Sequence, residues 1–594
     1  MNIIESTGIT KSFGNKKVLK GIDLNIKKGS IHAILGPNGS GKTTLIRIFS
    51  TLIKANSGTI KVAGHDVFNE PAKVRSAISL TAQNASVDEE LTGYENLFLF
   101  ARLMGFPVKE ARQRANELLN LFELKKAANK LVNTYSGGMR RRLDIAATIV
   151  RRTELLYLDE PTTGLDPHSR NALWDIIRGL AAKGTTVLLT TQYLEEAEQL
   201  ADRISVIDDG VVISEGTGDE LKASVGNNML HVYLNGQDKN FLESVLEQMQ
   251  LKPTKSDGDG KKLTFPVSGQ SEAIGVLSKL ESKNVEITAF NLSRPDLTEV
   301  FLSLTGNQKV KNGTSNPVVE SNEAVPGSIS IENLLAHAEP NKKVGVLSNK
   351  LMFGWRNLVK IKHIPEQFVD VLITPIMFTF MFTYIFGGAL AGSTKAYLQF
   401  FIPGILVQTF AFNAMYSGMN INNDVTKGIF NRFRSLPIWL PAPLSGLFIG
   451  DFFRHLISGI IVLLLGFVLG FRSDAGFFAF AASFLLMIFF AMSISLVFII
   501  LGLTMRNISA VMSVGWLMMM PLVFMSNIFT DPGTMPNWLQ TFIQYNPLAW
   551  QVDAVRGLLA ANVSGAAIFK AISASVVITL LLFPITTWFY KKER

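Results

Sequence analysis

Residues 31–44 read IHAILGPNGSGKTT, and this stretch decides the fold of the first half of the chain. An apolar run at 31–35 is followed by a glycine-rich turn of the pattern G-x-x-x-x-G-K-[ST] and by a helix start near Lys42. Glycines let the backbone curl until its N–H groups face phosphate oxygens, and the helix presents its positive end to the same place. The stretch therefore predicts a P-loop, in which Lys42 reaches the β- and γ-phosphates and the Thr43 hydroxyl binds magnesium. The predicted nucleotide contacts in this loop are Gly36, Asn38, Gly39, Ser40, Gly41, Lys42, Thr43 and Thr44.

A second element, residues 155–160, reads LLYLDE. An apolar strand that ends in two carboxylates suits Asp159 for the magnesium shell and Glu160 for polarising an attacking water. Such a pair alone is weak evidence, because it is often only a solvated strand end. Behind a P-loop, the pair predicts an ATP-hydrolysing site in which Lys42 and Glu160 are catalytic.

The rest of the first half predicts an α/β domain with an appendage. Up to about residue 220, short β-rich runs alternate with helical stretches, as is typical of α/β folds. We assign 1–225 to an α/β P-loop cassette, 226–306 to a small α+β appendage and 307–345 to a polar, flexible linker. The strands predicted in these regions are 31–35, 155–158, 186–190, 229–234, 262–267 and 285–289.

The second half predicts an all-α membrane domain of six transmembrane helices at 367–594. Apolar runs dominate it, and hydrophobic residues reach 47% of the whole chain against 18% charged. A basic amphipathic helix at 346–366 precedes the first run and is predicted to lie in the membrane interface, although an ordinary surface helix has the same pattern. The runs long enough to cross a bilayer lie near 367–388, 398–419, 446–470, 477–503, 508–527 and 567–589.

Lysine and arginine predict how these helices are oriented. Cytoplasmic connections carry an excess of both residues. The 420–445 connection, the loop near Arg506 and the chain end are rich in them, whereas the opposite connections hold only Lys395, Arg472, Arg556 and Lys570. The first residues also lack the apolar core of a secretory signal. We therefore expect a multi-pass protein of the cytoplasmic (inner) membrane, with the cassette and both termini in the cytoplasm.

Composition excludes some functions. The sequence contains no cysteine, so disulfides, thiolate catalysis and cysteine-ligated metals are ruled out. A formal net charge of +9 would also suit a protein that binds nucleic acid. No basic stripe with interleaved aromatic residues accompanies it, so no nucleic-acid binding is expected.

Residues 135–144, YSGGMRRRLD, resemble the signature motif of ATP-binding cassettes. The resemblance implies that Ser136, Gly137 and Gly138 contact the γ-phosphate held by an opposite cassette, so that two cassettes pair head to tail. It also implies that Phe13 stacks on adenine. By the same resemblance, Gln83 is the Q-loop glutamine near magnesium and Asp166 belongs to the D-loop.

One position departs from the family pattern. A switch histidine usually follows the strand predicted at 186–190, and here Gln192 stands in that catalytic place. Glutamine can hydrogen-bond a γ-phosphate but cannot take up a proton near pH 7, which leaves the hydrolysis rate open. With 80–93 (LTAQNASVDEELTG) and 294–302 (RPDLTEVFL), Gln192 resembles the daunorubicin-resistance branch of drug-exporter ATPases.

The membrane half is similar to exporters of this type. Residues 427–437, KGIFNRFRSLP, resemble the connection that carries a coupling helix onto the cassette, although positive-inside topology alone would also explain the basic run. The resemblance also implies that about 528–564 folds back as short helices. Asp451 and Arg454 are spaced to pair on one helix face. Residues that could line an apolar route, or merely pack and face lipid, are Phe378, Phe380, Phe410, Phe412, Met518, Met519 and Met520.

Together these resemblances imply a half-transporter that uses ATP and magnesium to export a hydrophobic or amphipathic small molecule, such as a drug or antibiotic. The working unit would be a dimer with a second copy of the chain or with a related half-transporter. A lipid, glycan or peptide cargo is the alternative, and a non-transporting membrane-tethered ATPase is a further one. An importer is less expected, since the membrane half resembles exporters.

Overall fold

The structure is a computed structural model that describes residues 1–83, 85–224, 228–234, 246, 255–256, 262–267, 269–283, 285–293, 301, 345–562 and 564–591. The predicted linker lies outside these residues except for Gly345, and so does most of 294–302. Contacts within the chain divide it into two compact units. The first unit contains 1–83 and 152–333, and the second contains 84–151 and 334–594.

The strands and helices are numbered here in chain order. The strands are β1 (Asn2–Phe13), β2 (Lys16–Lys27), β3 (Ile31–Leu35), β4 (Ser57–Val62), β5 (His65–Asp66), β6 (Ile78–Thr81), β7 (Leu155–Asp159), β8 (Thr186–Thr191), β9 (Arg203–Asp208), β10 (Val211–Gly216), β11 (Asn228–Leu234), β12 (Lys255–Ser256), β13 (Lys262–Val267) and β14 (Ile287–Ser293). The helices up to the linker are α1 (Lys42–Phe49), α2 (Pro71–Ala77), α3 (Gly93–Leu103), α4 (Val108–Leu121), α5 (Gly137–Thr148), α6 (Pro167–Ala182), α7 (Leu194–Leu200), α8 (Gly218–Ser224) and α9 (Gln270–Ser282). The later helices are α10 (Val346–His363), α11 (Pro365–Phe380), α12 (Gly387–Ala391), α13 (Thr394–Asn413), α14 (Met415–Thr426), α15 (Ile429–Ser435), α16 (Ala442–Leu469), α17 (Phe477–Thr504), α18 (Ile508–Phe524), α19 (Asn537–Tyr545), α20 (Pro547–Leu559) and α21 (Gly565–Lys591).

The first unit is built on a six-stranded sheet of order β10-β9-β3-β8-β7-β6. All its neighbouring strands are parallel except β10, which runs antiparallel to β9. Every residue of β3, β7 and β8 is buried, because a parallel sheet is covered on both faces. The strands predicted at 31–35, 155–158 and 186–190 are confirmed, and β7 and β8 each run one residue further.

Two antiparallel sheets complete this unit. The sheet of order β2-β1-β4-β5 packs its apolar face into the same core as β3 and α1. The described part of the appendage forms a sheet of order β12-β13-β11-β14, with α9 against it. The α+β character predicted for this region is confirmed, although the strand predicted at 285–289 begins only at Ile287.

The second unit joins helices α3 to α5 to the membrane half. By length and composition, five helical stretches of the described residues could cross a membrane. They are Leu372–Ala391, Thr394–Thr426, Ala442–Leu469, Phe477–Thr504 and Gly565–Lys591. The remaining predicted span, at 508–527, corresponds to the apolar helix α18, which has 17 residues and is short for a crossing. A membrane domain of about six helices agrees with the prediction.

The segment predicted to fold back between the last two spans contains α19 and α20. Helix α20 packs against α13, α17 and α21, and it buries Leu548, Val552 and Val555 in the core of the membrane half. Apolar burial therefore holds α20 in place.

Candidate functional site

A cavity of about 570 Å³, here called the nucleotide cavity, lies in the first unit where β3, β7 and β8 end. Most predicted site residues of this unit line it. Lys16, Val18 and Thr163 also line it and were not predicted; they carry no motif of their own. The lining residues are Phe13, Lys16, Val18, Asn38, Gly39, Gly41, Lys42, Thr43, Thr44, Gln83, Glu160, Thr163 and Gln192.

The P-loop takes its shape from glycine. Gly41 has φ 106°, and a Cβ there would lie 2.6 Å from Leu19 Cδ2. Only glycine fits both the backbone angle and the space. The Lys42 ammonium donates to the carbonyl oxygens of Gly36 (2.8 Å) and Pro37 (3.0 Å). Burial lowers the pKa of Lys42, while Glu160 and Asp159 raise it.

Asp159 is the last residue of β7, and neighbouring hydroxyls hold it. Thr190 Oγ1 donates to Asp159 Oδ1 over 2.6 Å, and Thr43 Oγ1 lies 3.3 Å from the same oxygen. The structure thus brings together the hydroxyl and the carboxylate that were predicted as metal ligands. Thr190 was not predicted to have a role here. Its position one strand away, at the end of β8, was the available signal.

Glu160 combines an unusual backbone with a directed side chain. Its φ is 46°, a left-handed conformation that costs a non-glycine residue about 1 kcal/mol or more. Its N–H donates to the carbonyl oxygen of Thr190 (3.1 Å), which anchors the turn to β8. Gln83 Nε2 lies 3.4 Å and Thr163 Oγ1 3.5 Å from Glu160 Oε2, so both can orient the carboxylate.

Other predicted residues lie elsewhere. Ser136 caps α5 by accepting from the Met139 N–H over 3.2 Å, and Gly137 opens that helix in the second unit. Asp166 caps α6 by accepting from the Ser169 N–H over 2.9 Å and does not line the nucleotide cavity. Gly36, Ser40, Gly138 and Asp159 are likewise not among its lining residues. The predicted nucleotide contacts of Gly36, Ser40 and Asp166 and the predicted role of the signature residues in a paired cassette remain predictions.

A cluster of charges, here called the ionic junction, lies inside the second unit. It consists of Asp88, Glu90, Arg356, Lys360 and Asp424. Arg356 makes a two-pronged contact with Asp424 (2.6 and 2.8 Å), and its Nε donates to Asp88 over 2.6 Å. Lys360 Nζ lies 2.9 Å from Asp88 and 3.1 Å from Glu90.

Two basic residues of α10 belong to the ionic junction. The helix was predicted to lie in the membrane interface, with an ordinary surface helix as the alternative, and that location stays a prediction. Arg356 and Lys360 are buried against carboxylates of the cassette segment 84–151 and of α14. Burial raises the pKa of Asp88, but Arg356 and Lys360 outweigh it and lower that pKa to about 2. Asp88 is therefore ionised at neutral pH.

Helix α15, predicted as a coupling helix, makes a second buried contact. Arg432 pairs with the carboxylate of Asp144 in α5 and donates to Thr148 Oγ1 over 2.9 Å. Its guanidinium lies 4.5 Å from the Phe100 ring centre, a cation–π contact with α3. Burial raises the pKa of Asp144, which Arg432 opposes. The membrane half thus contacts the cassette segment through two separate arginines.

In the membrane half, the predicted pair of Asp451 and Arg454 is present. Arg454 Nη1 donates to Asp451 Oδ1 over 2.8 Å, and the Ser417 hydroxyl donates to the other carboxylate oxygen over 2.5 Å. Both charged residues are buried, so the pair is satisfied within the helices.

Comparison with protein families assigns each part of the chain. Residues 19–163 match the ABC transporter model, 216–305 the C-terminal domain of DrrA1-3-like ATP-binding proteins, and 351–560 the ABC-2 type transporter model.

Similar curated proteins cover the two halves separately. The daunorubicin/doxorubicin resistance ATP-binding protein DrrA of Streptomyces peucetius is 48% identical over 322 residues, which are 54% of this chain and 98% of that protein. The daunorubicin resistance ATP-binding protein DrrA3 of Streptomyces coeruleorubidus is 50% identical over 303 residues, 51% of this chain and 95% of that one. The daunorubicin resistance ABC transporter permease protein DrrB1 of the same species is 36% identical over 281 residues, 47% of this chain and 99% of that protein.

Proposed function

The chain belongs to the ABC transporter family, with an ATP-binding cassette and an ABC-2 type membrane domain in one polypeptide, and from that premise we propose that it exports a hydrophobic or amphipathic, drug-like molecule. One observation carries the choice of cargo. The two halves cover nearly the whole lengths of an ATP-binding protein and a permease that are both named for daunorubicin resistance. This favours a drug-like cargo over a lipid, glycan or peptide, and transport over a tethered ATPase.

The geometry of the nucleotide cavity supports ATP hydrolysis by Glu160. We assign Glu160 to polarise the attacking water, with Gln83 and Thr163 near its Oε2 to orient it. Lys42 stabilises the charge of the β- and γ-phosphates. Gln192 lines the same cavity and hydrogen-bonds the γ-phosphate without carrying a proton.

Magnesium fits the oxygen ligands in and next to this cavity. The Thr43 hydroxyl and the Asp159 carboxylate lie 3.3 Å apart, and Gln83 lines the same space. Magnesium prefers one or two such oxygens together with substrate phosphates to a full protein cage. Thr43, Asp159 and Gln83 would hold the ion, which neutralises phosphate charge when bound.

The working unit is proposed to be a dimer. In the family, the signature residues Ser136, Gly137 and Gly138 serve the nucleotide of an opposite cassette, so one chain supplies two complementary half-sites. A second copy of this chain is the simplest partner, and a related half-transporter is the other. The excess of lysine and arginine in alternate connections supports a cytoplasmic-membrane protein with the cassette and both termini inside.

Export can be tested with inside-out membrane vesicles that contain the full chain. We expect ATP-dependent uptake of daunorubicin, and we expect Glu160→Gln to lower both ATPase rate and uptake by at least about 100-fold. ATP binding should persist, because Lys42 and the P-loop remain. Glu154→Gln makes the same chemical change at an exposed residue next to β7 and should leave both activities intact. Uptake that continues in Glu160→Gln would show that hydrolysis at this site does not drive transport.

A further inference from the structure

The hydroxyl of Thr190, in β8, is buried beside the nucleotide site. Thr190 has no exposed surface and lies in the sheet between Asp159 of β7 and Ile34 of β3. Most side-chain hydrogen bonds in proteins go to backbone groups or water, and a threonine on a buried strand usually follows that rule. Thr190 Oγ1 instead donates to a carboxylate oxygen, Asp159 Oδ1, over 2.6 Å. The hydroxyl therefore contacts a predicted magnesium ligand directly.

The same hydroxyl oxygen also faces the backbone of Glu160. The Glu160 N–H donates both to Thr190 Oγ1 (3.2 Å) and to the Thr190 carbonyl oxygen (3.1 Å), so two acceptors of one residue share it. Glu160 has the left-handed φ of 46°, and such a backbone persists only where the surrounding structure fixes it. Thr190 thus holds the backbone of the proposed catalytic residue as well as the carboxylate that precedes it.

The contact from Thr190 fixes how the Asp159 carboxylate is turned. Asp159 Oδ1 lies 3.3 Å from Thr43 Oγ1 and only 2.6 Å from Thr190 Oγ1, so the bond from Thr190 is the tighter one. A short hydroxyl–carboxylate bond is strong and directional. Partners that orient a metal-binding carboxylate typically change metal affinity by about 10- to 100-fold when they are removed.

Thr186, at the other end of β8, provides the comparison. It is as fully buried as Thr190, and its Oγ1 accepts from the Gly29 N–H over 2.9 Å. Four residues of strand separate the two threonines by about 13 Å. They therefore share strand, burial and residue type but have different partners.

Resting on the proposed hydrolysis at Glu160, we propose that Thr190 is a positioning residue of the ATPase reaction. Its hydroxyl holds the Asp159 carboxylate in the orientation that receives magnesium, and together with its carbonyl it holds Glu160 where it polarises the water. Gln192 follows two residues later in the chain. The end of β8 thus connects the metal ligand, the base and the side chain proposed to contact the γ-phosphate.

The test compares Thr190→Val with the wild type, each as purified full-length protein in lipid nanodiscs. Valine keeps the β-branched shape and removes the hydroxyl. Magnesium should strengthen binding of a non-hydrolysable ATP analogue to the wild type. This magnesium gain, the ratio of the affinities in Mg²⁺ and in EDTA, should fall about tenfold in the variant, while the affinity in EDTA stays level because the P-loop is unchanged. The kcat of the ATPase at saturating Mg²⁺ and ATP should also fall about tenfold, because Glu160 is held less firmly.

Two further variants show whether the hydroxyl is the cause. Thr186→Val makes the same substitution at the other end of β8, so it should lower the unfolding temperature but keep the magnesium gain within about twofold of the wild type. Thr190→Ser keeps the hydroxyl and should bring both the magnesium gain and kcat back to within about threefold of the wild type. If Thr190→Val does not fold, Thr190→Ala measured against Thr190→Ser gives the same comparison, because these two differ only in the hydroxyl.

The outcomes separate this role from the proposed function. If the magnesium gain of Thr190→Val stays within about twofold of the wild type, or if Thr186→Val loses as much of it, the positioning role is overturned and hydrolysis at Glu160 stands. If Thr190→Ser does not restore the gain, the methyl group is the cause and the proposal is wrong. If Glu160→Gln hydrolyses ATP like the wild type, the proposed function fails, and the magnesium gain, which needs no hydrolysis, still decides whether Thr190 orients Asp159.

Discussion

The nucleotide cavity and the ionic junction both collect charged side chains, but they use the charge differently. In the nucleotide cavity, Lys42 contacts neutral carbonyl oxygens of its own loop. In the ionic junction, Arg356 and Lys360 are surrounded by three carboxylates. In the nucleotide cavity the charge of Lys42 remains available to a bound ligand. In the ionic junction the charged side chains neutralise one another and hold helices together.

The largest expected effect comes from breaking the junction. Arg356→Ala leaves Asp88 and Asp424 buried with a single cation, Lys360, between them, so it should cost about 3 to 5 kcal/mol of unfolding free energy. Thermal unfolding of the purified full chain, followed with and without ATP, measures the loss. Lys362→Ala, at an exposed position of the same helix, is the matched control.

If the unfolding free energy of Arg356→Ala lay within about 1 kcal/mol of the wild-type value, the buried charges would not be what holds the ionic junction together, and the contrast with the nucleotide cavity would be wrong. Replacing the charges together, as Arg356→Leu with Asp88→Asn and Asp424→Asn, should recover much of the stability. The uncompensated carboxylates, and not the missing contact alone, cause the predicted loss.

Acid should destabilise the first unit and the ionic junction in separate pH ranges. His32, in β3, is buried with its Nε2 2.8 Å from Ser205 Oγ. Burial, helped by Arg203, lowers its pKa from 6.5 to about 4. Between these values the unfolded chain binds a proton that the folded chain does not, so stability of the first unit falls as pH drops from 6.5 to 4, by up to about 3 kcal/mol. Asp88 contributes stability that is fully present above its ordinary pKa of 3.8 and is lost as pH falls from 3.8 to about 2, because there the unfolded chain binds a proton that the folded chain does not.

Unfolding temperatures of the full chain between pH 7 and pH 2 test this separation. His32→Gln keeps a partner for Ser205 and should flatten the dependence, whereas His168→Gln, at an exposed histidine of the same unit, should not. An unchanged slope in His32→Gln would locate the acid sensitivity elsewhere.

The smallest expected effect is at Gln192. Because Gln192 contributes a hydrogen bond and Glu160 polarises the water, Gln192→His should change the ATPase rate at pH 8 by less than about threefold. Below about pH 6.5 the histidine would titrate, so the variant alone should gain an acid-dependent change in rate. Gln192→Ala, which removes the hydrogen bond, should slow hydrolysis by about tenfold. If Gln192→Ala hydrolysed ATP as fast as the wild type, Gln192 would have no role in hydrolysis.

The same contrast explains what could be predicted from the sequence. The P-loop and strands β3, β7 and β8 were predictable because each is encoded by adjacent residues, and the apolar spans are equally local. The ionic junction was not predictable, because Arg356 and its partner Asp88 lie 268 residues apart in the chain.

Because Arg356 and Asp88 belong to one chain, the stoichiometry of cassette to membrane domain is also fixed. The relatives of the two halves, DrrA and DrrB1, are separate polypeptides, each covered almost completely by its own part of this chain. Here one translation product carries both sides of the junction. The contact therefore forms within one molecule, at an effective concentration that does not depend on the protein concentration. The ratio of one cassette to one membrane domain is set by the gene and not by the relative expression of two proteins.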